Sequence, residues 1–141
     1  MSADNIIYIL CMKDQFRVVH MQAPENVCWS HITGERNEIL CSRLFEYFNH
    51  SKVFRDEVEA LGCAKSQEKN IGYVEYGIAH LKIDKTWKEV LATARTEIGN
   101  EKLYLLSGKS GLSEGTVVAI VEELNHLYSD ILKEIVKLGG S

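Results

Sequence analysis

Two segments of the chain gather residue types that could do chemistry. Leu105-Leu106-Ser107-Gly108-Lys109-Ser110 lies ahead of a helix, where a loop of the form G-x-x-x-x-G-K-[ST] would cradle phosphates on its backbone amides. The first glycine of that motif falls on Leu103, a second Gly-containing stretch precedes the helix, and no hydrophobic strand ends in a metal-binding Asp. The segment is therefore read as a flexible connector, although the amides from Ser110 to Gly115 still offer an anion a helix start. The second segment, Cys28-x-x-His31 followed by Cys41 and His50, supplies four donors of the kinds that hold zinc. Neither pair has knuckle spacing, Cys41 falls on the apolar face of a helix and His50 at its end. No metal is assigned, and zinc analysis of protein purified without added metal tests that reading.

Four cysteines and five histidines permit nucleophilic catalysis by type alone, but no G-x-S-x-G, H-E-x-x-H, paired-carboxylate or G-x-G-x-x-G motif accompanies them. No catalytic residue and no cofactor is named. Cys11, Cys28, Cys41 and Cys63 lack C-x-x-C spacing and read as buried, reduced thiols.

A binding site has more to draw on. Arg17 and His20 lie near the end of a hairpin, Tyr73, Tyr76 and His80 on a candidate long strand, and Arg95 on a helix. Aromatic rings can stack on a base and Arg can hold a phosphate, so Arg17, His20, Tyr73, Tyr76 and Arg95 form the candidate ligand-binding set. Singly, each has a plainer reading: tyrosines as core residues with their hydroxyls at the edge, arginines in solvent.

The elements that must position these residues follow from local patterns. Ile6 to Cys11 and Gln15 to Met21 are β-branched and aromatic runs separated by Lys13-Asp14, a hairpin. Phe16, Val18 and His20 alternate with Arg17, Val19 and Met21, which gives the ribbon apolar content on both faces. Pro24-Glu25-Asn26 reads as a turn, and Val27 to Glu38 as a loop. Leu40, Cys41, Leu44, Phe45 and Phe48 recur at helical spacing up to Asn49-His50-Ser51. Asp56 opens another helix, with Ala60, Leu61 and Ala64 inward. Gly72 to Ile83 reads as a long central strand with a bulge at Gly77. Thr86-x-x-Glu89 is a capping box for a helix that Gly99 would end, and Lys102 to Leu106 is a fourth strand or a packed connector.

From Ser113 to Leu138, Val117, Val121, Leu124, Tyr128, Ile131, Ile135 and Leu138 follow at alternating steps of four and three, a heptad seam. A second group, Val118, Ile120, Leu127, Leu132 and Val136, widens the apolar surface. Such a helix runs roughly 37 Å, longer than a small sheet is wide. It is expected to pack on the core formed by residues 1–106 and, through residues 112–138, on a partner subunit of a homo-oligomer.

The whole chain, 141 residues with 45% apolar and 26% charged residues, fits a single globular domain. A formal charge of -4 gives no generic drive toward nucleic acid or an anionic membrane. Ile6 to Cys11 is too short for a signal core or a membrane span, so a cytoplasmic location is expected. The fold class is α+β: an antiparallel sheet of three to four strands, short packed helices and a long C-terminal oligomerisation helix.

Asn5-Ile6-Ile7-Tyr8 through Arg17-Val18-Val19-His20, with Lys52-Val53-Phe54, Glu59-Ala60-Leu61 and Val74-Glu75-Tyr76-Gly77-Ile78, resembles small uncharacterised single-domain proteins of phages and mobile elements over roughly the first 83 residues. In outline, a sheet-and-helix core followed by assembly helices is similar to the Thoeris anti-defence sponge proteins. That resemblance implies non-catalytic sequestration of a small nucleotide of the cyclic ADP-ribose type, in the cytoplasm of a phage's host, and carries over no individual residue. The other readings are a protein-interaction module that inhibits a host enzyme and a small hydrolase or transferase.

Overall fold

The computed structural model describes residues 5–22 and 40–139. The turn and loop expected between Pro24 and Glu38 lie outside the described residues, as do Cys28 and His31.

Strands β1 (Asn5–Cys11) and β2 (Phe16–Gln22) form the expected antiparallel hairpin, with Cys11 opposite Phe16 and Asn5 opposite Gln22. Period-two alternation divides the side chains between two cores. Ile7, Ile9 and Val18 are buried with Ala60 and Ala64 on one face. Tyr8, Leu10 and Met21 are buried on the other with Leu44, Phe45, Phe48 and Trp87. Ile7, Ile9 and Leu10 have no exposed surface, each worth about 2 kcal/mol of apolar transfer.

The next elements are α1 (Cys41–Phe48), β3 (Lys52–Phe54) and α2 (Glu57–Ile71). Asp56 caps α2, its carboxylate accepting the Val58 amide at 2.8 Å. The helix lays Ala60 and Ala64 on the sheet; their small side chains let the backbone come close. Strand β4 (Ile78–Lys82) follows, and the strand order is β3-β2-β1-β4.

Three expectations are corrected. The sheet is mixed: β4 runs parallel to β1, because the chain crosses over through α1, β3 and α2 before it returns. Central positions belong to β1 and β2, and β4 is an edge strand of five residues instead of a long central one. Residues 73–77 are a connection held to Asn5, with Gly77 at φ 65° and its carbonyl accepting the Ile7 amide. Finally, α3 (Trp87–Leu106) continues through Gly99, so Lys102 to Leu106 is helical. One glycine costs a helix about 1 kcal/mol, and the left-handed stop is supplied later by Gly108 at φ 78°.

The capping box at the start of α3 is present as expected. Helix α4 (Glu114–Lys137) is capped by Ser113, whose hydroxyl accepts the Thr116 amide. The heptad seam turns toward the protein's own helices: Ile131 is fully buried, with Leu124, Tyr128 and Ile135 packed around it. Helix α2 thus covers one face of the sheet, while α1, α3 and the seam of α4 build on the other. No helix among the described residues is long and apolar enough to cross a membrane.

Candidate functional site

The two-residue period of β2 sends Arg17 and His20 to opposite faces of the sheet. Arg17 is 6% exposed. Its Nη1 donates to the Phe48 carbonyl at 2.9 Å, its Nε to Gln15 Oε1 at 2.6 Å, and its guanidinium carbon stands 3.8 Å from the centroid of the Trp87 ring. Burial pushes it down to about 10, against the opposing pull of Glu134 and Asp14. It is still cationic at neutral pH, with its donors turned into the protein.

His20 lies on the α2 side. Its Nε2 is 3.1 Å from Asn5 Nδ2, which also donates to the Tyr73 carbonyl at 3.1 Å. Because Nδ2 carries only donors, His20 Nε2 is the acceptor, which assigns its proton to Nδ1. Asn5 Oδ1 accepts the Glu75 amide at 2.8 Å. One buried amide therefore ties β1 to the connection that carries Tyr73 and Tyr76, both about 60% exposed. Of the five candidate residues, His20 and Tyr73 meet through Asn5, and Tyr76 shares their connection.

Arg95 is elsewhere, on the exposed side of α3. Its Nε donates to Tyr128 Oη at 3.1 Å, and Lys102 Nζ approaches the same ring at 5.0 Å from its centroid. This cationic pair joins α3 to α4.

A shallow groove beside His20 is lined by His50, Ser51, Lys52, Gln67 and Asn70. Gln67 Oε1 is buried there without a hydrogen-bond partner among the described residues. Sequence patterns weighed His50 only as a metal donor and missed Lys52 and Gln67, because the pairing of β3 with β2 and the lie of α2 across them depend on distant residues.

Cys41 and Cys11 are not activated. Burial, with Glu97 adding to it, pushes the Cys41 thiol up to about 11, and burial raises Cys11 as well. Both are thiols at neutral pH, unlike an activated nucleophile or a zinc thiolate. Cys41 opens α1 and His50 follows its far end. No cluster of three or more His, Cys, Asp or Glu that could hold a metal occurs among the described residues. In the connector, Ser110 Oγ accepts the Leu112 amide and Ser113 Oγ accepts the Thr116 amide, so one donor of the first helical turn is already engaged.

The chain matches no protein-family model, and no curated protein or solved structure is significantly similar to it.

Proposed function

We propose that the protein is a non-catalytic interaction module whose working surface is the outer end of the α3–α4 hairpin. The observation that supports this reading is the run of apolar side chains left in solvent around that turn. Leu103 and Leu106 are 70% and 65% exposed, and Tyr104 and Leu112 are exposed beside them in sequence. Single exposed leucines are ordinary, whereas four large apolar side chains within ten residues mark a surface that a protein partner covers. The partner class is a folded protein with an apolar cleft, an enzyme to be inhibited included.

The test is a pull-down of defined stoichiometry with the wild type and with Leu103→Glu/Leu106→Glu. Both positions are solvent-facing, so the variant keeps the wild-type melting curve. Loss of capture supports the proposal. Undiminished capture by the variant overturns it.

A second reading, sequestration of a small nucleotide, draws support from the groove beside His20, which His50, Lys52 and Gln67 also line and where the Gln67 side-chain carbonyl has no hydrogen-bond partner among the described residues. It expects an intact nucleotide in the mass spectrum of denatured protein and a thermal shift with cyclic ADP-ribose isomers, both reduced in Lys52→Ala. Absence of both removes this reading.

A further inference from the structure

A second longitudinal stripe runs along α4, apart from the seam that packs on α3: Val118, Glu122, Asn125, Ser129, Leu132 and Val136. At 100° per residue these six fall within an arc of about 80°, centred about 140° from the buried Ile131. All but Leu132 are exposed, Val118 by 52% and Val136 by 73%. Ser129, Leu132, Lys133, Val136 and Lys137 line a depression at its C-terminal end.

The stripe is mirrored in residue type at its ends and at its centre. About a point at Leu127, Val118 mirrors Val136, Glu122 mirrors Leu132 and Asn125 mirrors Ser129. In a parallel pair the two-fold axis runs along the helices and carries the same edge of the two copies to opposite sides of the seam, so Glu122 and Lys133 find no opposite charge across it. Antiparallel, the two-fold axis brings each Val118 to the Val136 of the other copy, within the depression, and each Glu122 beside the other copy's Lys133. Small polar Asn125 and Ser129 at the centre let the helices approach. In an antiparallel pair the flanking positions on one side meet their counterparts on the same side. Glu122 and Lys133 lie about 20° apart around the helix, on the same edge of the stripe, so charge complementarity selects this orientation. The contact is isologous and closed, and it spans roughly 27 Å of helix.

We propose that the chain self-associates as a two-fold dimer through this antiparallel α4 stripe. The surface is distinct from the Leu103–Leu112 turn and uses none of its side chains, so the occupant of that turn can differ from the occupant of the stripe.

Light scattering coupled to size exclusion tests this on the full chain. Wild type at roughly 100 µM elutes as a dimer. Val136→Glu gives a monomer. Glu122→Lys weakens the dimer by at least about tenfold, and Glu122→Lys/Lys133→Glu restores it, since the two charges are exchanged. All these positions are exposed or at the stripe's edge, and a circular-dichroism melt confirms each fold; Val118→Glu replaces any variant that melts early. A monomeric wild type, a dimer indifferent to Val136→Glu and Val118→Glu, or a double reversal that stays as weak as the single one overturns the proposal. If the wild type is monomeric while Leu103→Glu/Leu106→Glu still loses its partner, the stripe fails and the interaction-module reading stands.

Discussion

The Arg17 guanidinium lies 3.8 Å from the centre of the Trp87 ring, inside the layer between the sheet and α3. This places a cation where a ligand-binding reading would have wanted one exposed. Its hydrogen-bond partner Phe48 O also accepts from the Ser51 amide and the Ser51 hydroxyl, so that carbonyl does not depend on the arginine. Arg17→Met, which keeps the stem and the packing against Trp87, is expected to lie within about 1 kcal/mol of wild type in urea unfolding. Arg17→Ala empties the layer and costs about 3 kcal/mol. Equal losses in the two variants would show that the charge, and not the packing, is what matters at this position.

Asn5, which the sequence patterns did not single out, is the tie that holds the candidate residues His20 and Tyr73 together. Its side chain serves the Tyr73 carbonyl and the Glu75 amide in a residue that is 2% exposed. Asn5→Ala leaves both backbone groups without that partner and is expected to cost about 2 kcal/mol. Asn5→Asp keeps the acceptor for Glu75 but sets a carboxylate against the Tyr73 carbonyl, and costs at least as much. Amide hydrogen exchange reads the local consequence: residues 73–77 exchange faster in both variants while the β1–β2 pairing keeps its protection. Unchanged exchange across 73–77 would rule out the tie.

Local patterns made the hairpin, α1, the Asp56 and Thr86 caps and the start of α4 legible, since each is written within a few consecutive residues. The opposition of Arg17 and His20 was legible too: alternation groups Arg17 with Val19 and Met21, and His20 with Phe16 and Val18. What the pattern does not contain is which helix covers which face. Parallel pairing of β4 with β1 joins residues about seventy apart in sequence, and nothing local in Gly72 to Ile83 separates an edge strand preceded by a tied connection from a longer central strand. The heptad seam of α4 was legible as a seam, whereas its partner, α3 and the α1 side of the core, is a property of the fold.

Glu97 illustrates the same limit and gives a third prediction. Helix α1 lacks a side-chain cap of its own at Leu40, and Glu97 on α3 supplies one: its oxygens accept the Cys41 amide at 3.2 Å and the Ser42 amide at 2.8 Å. A carboxylate at a helix N-terminus satisfies two orphan donors and faces the positive end of the dipole. Glu97→Ala is expected to cost about 1–2 kcal/mol, and Glu97→Gln less. Because Glu97 also raises the Cys41 thiol, Glu97→Gln speeds alkylation of Cys41, mapped by peptide mass. Destabilisation without faster alkylation would separate the cap from the charge.

The capping box of α3 makes stability depend on pH in a predictable direction. Thr86 Oγ1 accepts the Glu89 amide at 3.1 Å, and Glu89 Oε1 accepts the Thr86 amide at 3.0 Å. The Thr86 amide and hydroxyl, both hydrogen-bonded to the carboxylate and aided by Lys13 and Lys85, hold the Glu89 carboxyl below its ordinary value of 4.5. The folded state therefore binds its proton later than the unfolded state as pH falls. Between the two values the unfolded chain carries more protons, so stability rises with pH in that window. The contribution of the charge is complete above pH 4.5 and is lost as pH drops through the lower, folded value. The urea midpoints of wild type and Glu89→Gln are thus expected to differ by a constant amount near neutrality and to converge below pH 4.5. A gap between the two proteins that stays constant down to pH 3 would mean that the Glu89 charge takes no part in capping α3.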